Sequence, residues 1–138
     1  MKISDKTLLL VEDENTIREY LGMFIERHSD FGVAKAANGQ EAIALFSQYK
    51  PQCVFLDLGL PDMHGLDVLK KIKELDPTAK VYIMTGFDDD AMRQKAKALG
   101  ATAYLTKPVE FDLLLKILHE QSLSASVNAP VSVAGEAF

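Results

Sequence analysis

The sequence contains a single cysteine, no tryptophan and no hydrophobic run long enough to cross a bilayer. Cys53 has no second cysteine to pair with, which excludes an intramolecular disulfide, and its apolar neighbours favour a buried hydrophobe over a reactive thiol. The first residues include Lys2, Asp5 and Lys6 and lack the apolar core of a signal peptide. These absences favour a protein of the reducing cytoplasm that does not enter the membrane.

Positive charge and nucleotide-binding motifs are also scarce. The 15 lysine and arginine residues face 20 aspartate and glutamate residues, and the net charge of -5 argues against binding nucleic acid or an anionic membrane. The glycines form neither a Gly-x-Gly-x-x-Gly loop nor a Walker motif, so nucleotide binding has little support. The histidines lack metal-ligand spacing and are expected in surface or loop roles: His28, His64 and His119.

Short apolar segments alternate with segments whose apolar residues recur at helical spacing. With 138 residues the chain has the size of one domain. Strict strand–helix alternation predicts an α/β fold with right-handed crossovers, a doubly wound five-stranded parallel sheet of the (βα)5, flavodoxin-like kind. The predicted strands are residues 7–11, 31–36, 53–56, 81–84 and 103–105.

Capping residues and prolines mark the ends of the predicted helices. Asn38, with Glu41 three residues later, has the pattern of a capping box and predicts the start of the second helix. Pro51 and Pro77 cannot continue the helices before them, and Gly100 suits a helix C-terminus. The serine- and alanine-rich end is nearly uncharged, so we assign 1–121 to the domain and 122–138 to a flexible tail or truncated linker.

Polar residues follow four of the five predicted strands. Glu12 and Asp13 follow the first strand, Asp57 the third, Thr85 the fourth and Lys107 the fifth. Ligands of open parallel sheets bind at the carboxyl ends of the strands, where these residues are expected to meet. Three carboxylates repel one another unless a cation lies among them, and Mg²⁺ prefers such oxygen ligands. The pattern indicates phosphoryl transfer, with a carboxylate nucleophile, a metal, an ammonium and a hydroxyl donor.

Four motifs resemble those of a known family. They are LVEDE at 10–14, FLDLGLPDMHG at 55–65, MTG at 84–86 and LTKP at 105–108. Together, and in this order, they resemble the receiver domain of bacterial two-component response regulators, as in the single-domain chemotaxis regulators. The resemblance covers roughly residues 5–121.

The resemblance implies the roles of the site residues. Asp57 is expected to accept a phosphoryl group from a phosphohistidine on a sensor histidine kinase or a histidine phosphotransfer protein. Asp13 and Asp57 would bind Mg²⁺ directly, Glu12 would act near it, often through water, and the Gly59 carbonyl would complete the shell. Lys107 would pair with the phosphoryl group.

The resemblance also implies a switch and a surface that it controls. Thr85 would move toward the phosphoryl group and Tyr104 would then turn inward, while the peptide bond between Lys107 and Pro108 is cis in the family. A downstream effector protein would bind the face of the fourth helix, fifth strand and fifth helix. Catalysis would be limited to phosphoryl uptake by the chain itself and slow hydrolysis, and Gly59 and Phe87 would flank the path of the attacking water. The residues expected on the effector face are Met92, Lys95, Leu99, Tyr104 and Phe111.

Three other functions remain open. A receiver-like module could signal by protein binding without phosphorylation, although it would usually lack the acids or the lysine. A phosphatase of the haloacid dehalogenase kind needs a second acid, which Asp57-Leu58-Gly59 does not have. A flavodoxin-like electron carrier needs a phosphate-binding loop where Glu12-Asp13-Glu14 would repel a phosphate. The acids at 88–90 could bind metal, but capping of the following helix is favoured.

Overall fold

The computed structural model describes residues 2–127 and shows five parallel strands and five helices in alternation. The strands form one sheet in the order β2-β1-β3-β4-β5, which confirms the predicted doubly wound fold. The elements are β1 (Lys6–Val11), α1 (Asn15–His28), β2 (Phe31–Ala36), α2 (Gly39–Tyr49), β3 (Cys53–Leu56), α3 (Gly65–Leu75), β4 (Lys80–Thr85), α4 (Asp90–Ala98), β5 (Ala103–Thr106) and α5 (Phe111–Val127).

Both faces of the sheet are covered because side chains alternate along each strand. On one face, Leu9, Val54 and their neighbours pack against α2, α3 and α4. On the other face, Leu8, Phe55 and their neighbours pack against α1 and α5. Cys53 is fully buried, and burial raises the pKa of its thiol, as predicted for a core residue.

The sequence signals for helix ends are confirmed. The Asn38 side chain accepts a hydrogen bond from the Glu41 N–H at 2.9 Å, and the Glu41 carboxylate accepts one from the Ala37 N–H at 2.9 Å. The left-handed Gly100, at φ 94°, follows α4. The Asp89 carboxylate accepts hydrogen bonds from two N–H groups in the first turn of α4, so the predicted capping role of this acid is confirmed as well.

Helix α5 extends beyond the predicted domain boundary at residue 121. It continues to Val127, so the first residues of the predicted tail, 122–127, are helical, and the rest of that tail, 128–138, lies outside the described residues. Two long-range contacts hold this end of the helix. The Gln121 amide donates to the Tyr82 hydroxyl at 2.6 Å, and the Lys6 ammonium donates to the Ser122 hydroxyl at 3.2 Å. No helix in the described part of the chain is both long and apolar enough to span a membrane.

The strand register brings the expected site residues to one edge of the sheet. Val11 pairs with Leu56, so Glu12 and Asp57 are the next residues on adjacent strands. Thr85 pairs with Thr106, so Lys107 follows at the same edge. The register of a parallel sheet therefore determines which residues can meet.

The start of α3 leaves no space for a side chain. A methyl group at Gly65 would lie 2.4 Å from the Leu58 Cα and 2.6 Å from the Asp57 carbonyl oxygen. We expect Gly65→Ala to lower the free energy of unfolding by about 1–3 kcal/mol, because the backbone has to move. Gly86→Ala is the matched control, since a methyl group there meets no atom within 4 Å. Urea unfolding of both variants measures the difference, and equal stabilities would contradict the tight contact.

Candidate functional site

Three acids lie at the carboxyl edge of the sheet, at the ends of β1 and β3. The Glu12 N–H donates to the Ala36 carbonyl and the Asp57 N–H to the Val11 carbonyl, each at 3.0 Å, which continues the ladder beyond the strands. Glu12 is 2% exposed and Asp57 9% exposed, whereas Asp13 is open to solvent. The three side chains offer carboxylate oxygens that lie within 4.8 Å of one another.

Lys107 bridges the two buried acids. Its Nζ lies 2.5 Å from Glu12 Oε1 and 2.8 Å from Asp57 Oδ2. Burial alone would lower the pKa of this ammonium, but its hydrogen bonds to Asp57 and Glu12 outweigh burial and raise it. The bond to Pro108 is cis, as expected from the resemblance. The ammonium thus offsets part of the repulsion that led us to expect a metal cation among the acids.

The loop after β3 passes beside the Asp57 side chain. The Gly59 N–H donates to Asp57 Oδ1 at 3.1 Å, so each carboxylate oxygen of Asp57 has a hydrogen-bond donor. Gly59 also forms an isolated antiparallel bridge with His64. Gly59 therefore lies next to the Asp57 carboxylate.

Thr85 and Phe87 form the opposite side of the site. Thr85 is fully buried, and its hydroxyl oxygen accepts a hydrogen bond of 3.4 Å from the Phe87 N–H. The ring of Phe87 is half exposed and lies over Gly59, where a methyl group would come within 3.3 Å of the ring. Gly59 and Phe87, the two residues expected to flank the path of water, are thus in contact with each other, and Gly59 lies beside Asp57.

Tyr104 is buried and turned inward in this structure. It is 2% exposed, and its hydroxyl donates to the Phe87 carbonyl at 2.7 Å. Burial raises the pKa of this hydroxyl even though the nearby Arg93 guanidinium lowers it. The ring therefore links β5 to the segment that follows Thr85.

Arg93 contacts Tyr104, an interaction that was not predicted from the sequence. Its guanidinium lies 4.6 Å from the centre of the Tyr104 ring, donates to the Tyr104 carbonyl at 3.1 Å and pairs with Asp88 at 3.3 Å. Three other charged residues lie within α4 itself, and nothing in the order of the four distinguishes the one that faces β5. The contact depends on how the helix is rotated on the sheet.

The structure also places two of the histidines and one residue of the expected effector face. His64 Nδ1 accepts a hydrogen bond from the Leu66 N–H at 3.0 Å and caps α3, while His28 packs against Phe24 at a ring distance of 4.5 Å. Phe111, expected on the effector face, is half exposed and stacks on Phe24 of α1 at 4.8 Å.

An apolar groove of about 520 Å³ between α1 and α5 opens beside Lys107.

The chemistry of the ligand set fits a hard divalent cation. Two buried acids and one exposed acid converge at one edge, and Mg²⁺ favours a few carboxylates with water and phosphate oxygens. The same edge supplies an ammonium that contacts Asp57 and, at the end of β4, a buried hydroxyl. A carboxylate nucleophile surrounded in this way is suited to phosphoryl transfer.

One solved structure resembles this chain in both fold and sequence. The response regulator protein from Burkholderia pseudomallei, solved with a phosphorylated aspartic acid, a calcium ion and citrate, superimposes with a TM-score of 0.76. It is 27% identical in sequence, and the match covers 90% of this chain and 72% of that one.

Curated relatives differ in how much of their length this chain spans. The cyclic di-GMP phosphodiesterase of Thermotoga maritima is 37% identical over 114 residues, which is 82% of this chain but 30% of the relative. The chemotaxis protein CheY of the same organism is 30% identical over 117 residues, which is 85% of this chain and 98% of the relative. The family model of the response regulator receiver domain matches residues 8–119. The chain therefore belongs to the response regulator receiver family.

Proposed function

We propose that the chain is a phosphorylation-controlled receiver in a two-component phosphorelay. Asp57 accepts a phosphoryl group from the phosphohistidine of a sensor histidine kinase or a histidine phosphotransfer protein. The observation that carries this proposal is the position of Asp57, whose carboxylate is bound by the Lys107 ammonium and lies beside Glu12 and Asp13. A buried acid paired in this way is better explained by chemistry than by packing.

The acids and one carbonyl would hold Mg²⁺. Asp13 and Asp57 would be direct ligands, Glu12 would act through water, and the Gly59 carbonyl would complete the set. When bound, the ion neutralises charge on the phosphoryl oxygens. The similar Burkholderia pseudomallei response regulator was solved with a phosphorylated aspartic acid and a calcium ion, which supports phosphorylation of an aspartate and use of a divalent cation here.

The residues of the chain have distinct parts in the transfer. An oxygen of Asp57 forms the bond to phosphorus, the nitrogen–phosphorus bond of phosphohistidine breaks, and its electron pair stays on the imidazole. Lys107 loses one carboxylate partner as the acyl phosphate forms and pairs with the phosphoryl oxygens. Thr85, at the end of β4, would move toward the phosphoryl group and donate a hydrogen bond to one of its oxygens.

The output is a change on the face of α4, β5 and α5. Movement of Thr85 would alter the segment through Phe87, whose backbone contacts both Thr85 and Tyr104. Tyr104 would be stabilised inward, and a downstream effector protein would bind the changed face. The inward Tyr104 of this structure is one of the two positions that such a switch needs.

The catalytic activity proposed is limited to the chain's own phosphorylation and dephosphorylation. The phosphodiesterase activity named for one relative belongs to a protein of which this chain spans 30%, so it is not carried over. Membership of the receiver family argues against the phosphatase and flavodoxin-like hypotheses. A receiver that signals by binding alone remains the second candidate, and the cytoplasmic location remains a prediction from sequence.

Phosphorylation of Asp57 is tested by intact mass after incubation with Mg²⁺ and acetyl phosphate. We expect the parent to gain one phosphoryl group and Asp57→Asn to gain none, because the amide is a poor nucleophile. Asp67→Asn, at an exposed position in α3, is the matched control and should be phosphorylated like the parent. A parent that folds and binds Mg²⁺ but gains no mass would favour the binding-only receiver.

The role of Lys107 is tested separately from metal binding. We expect Lys107→Ala to bind Mg²⁺ with largely unchanged affinity but to lose the response of α4 to phosphorylation, because no ammonium joins the phosphoryl group to β5. The readout is the change in the NMR amide shifts of α4 on phosphorylation. Lys70→Ala, an exposed lysine in α3, is the control. If Lys107→Ala responds like the parent, this account of the lysine is wrong.

A further inference from the structure

The loop between β3 and α3, residues 58–64, is closed at its base by backbone contacts. The Gly65 N–H donates to the Leu58 carbonyl at 2.9 Å, and Gly59 and His64 form an antiparallel bridge. Gly59, whose carbonyl is a proposed Mg²⁺ ligand, therefore belongs to a small closed loop rather than to a free segment. The position of its carbonyl depends on what holds the rest of that loop.

Asp62 joins the tip of this loop to helix α2 by hydrogen bonds. One carboxylate oxygen accepts from the Gly39 N–H at 2.8 Å and the other from the Gln40 N–H at 2.9 Å. These are the first two N–H groups of α2, which have no partner within the helix. The hydrogen bonds from Gly39 and Gln40 lower the pKa of Asp62, so it is a charged acceptor at neutral pH.

Met63, the next residue, also contacts the start of α2, in this case by packing. A methyl group at Gly39 would lie 2.3 Å from Cγ and 2.5 Å from Sδ of Met63, so the methionine rests directly on the helix backbone. Asp62 is exposed, and burial therefore does not account for its position. Two consecutive residues thus hold the loop tip against the first turn of α2.

We propose that Asp62 is a positioning residue for the Gly59 carbonyl, and through that carbonyl for Mg²⁺ at the three acids. This inference rests on the proposed function, because it deepens the account of the same site. The base of the loop is closed by backbone contacts and the tip is held by Asp62 and Met63, so the position of Gly59 depends on both ends of the loop. Loss of the Asp62 carboxylate leaves the base and the Met63 packing to orient the carbonyl.

The test compares two variants that remove different caps from the same helix. Asp62→Ala removes the acceptor for the Gly39 and Gln40 N–H groups and leaves the loop tip attached by the Met63 packing alone. Asn38→Ala removes the acceptor for the Glu41 N–H and leaves the loop attached. Both should lower the melting temperature, because both leave the start of α2 with unpaired N–H groups.

Magnesium affinity separates the two variants. In an NMR titration with MgCl₂ that follows the Gly59 amide, we expect Asp62→Ala to raise the Kd by about three- to tenfold, at or below the usual effect of losing an outer-shell partner. Asn38→Ala should keep the parent Kd, and Asp62→Asn, which retains one acceptor oxygen, should fall between Asp62→Ala and the parent. A parent-like Kd in Asp62→Ala, or an equal loss in Asn38→Ala, would overturn the inference.

An error in the proposed metal site can be distinguished from an error in the proposed role of Asp62. If the parent shows no response to MgCl₂, the metal site is wrong, and positioning of Gly59 is then judged by hydrogen exchange without metal. Faster exchange at the Gly59 and Gly65 amides in Asp62→Ala than in Asn38→Ala supports the positioning of the loop. Equal exchange in the two variants would show that Asp62 does not position it.

Discussion

The site depends on one lysine that reaches across the sheet to two buried acids. Lys107 follows β5, whereas Asp57 and Glu12 follow β3 and β1, and β4 lies between them. Neighbouring strands lie about 4.8 Å apart, so the Lys107 and Asp57 side chains together have to span roughly 10 Å of sheet edge. Only a long, flexible cation satisfies this constraint, and burial of both acids requires such a partner.

Much of this arrangement could be predicted because a parallel sheet gathers the carboxyl ends of its strands. The polar residues after the strands were enough to place Glu12, Asp57 and Lys107 together. Contacts set by tertiary geometry could not be predicted in this way. The stacking of Arg93 on Tyr104 depends on the rotation of α4, and the length of α5 depends on contacts with residues distant in sequence.

The two sides of Asp57 differ in how firmly they are held. On the β3–α3 side, Gly65 leaves no space for a methyl group, and the loop is attached at base and tip. On the β4–α4 side, Gly86 meets nothing within 4 Å of its missing side chain, and the Phe87 N–H makes a long hydrogen bond of 3.4 Å. A rigid side suits the proposed ligands, whose geometry Mg²⁺ restricts tightly, while a looser side suits a proposed switch.

Phe87 contacts both Gly59, beside Asp57, and Tyr104, the proposed switch residue. Its ring occupies space that the absence of a side chain at Gly59 leaves open, and its carbonyl accepts the hydroxyl of Tyr104. A larger residue at position 59 would have to displace the ring, and the ring shares a backbone with that carbonyl. Under the proposed function, access of water to Asp57 and the position of Tyr104 would therefore not be independent. The rate of phosphoryl loss and the effector face would be coupled through Phe87, whose half-exposed ring lies over Gly59 and whose carbonyl accepts the Tyr104 hydroxyl.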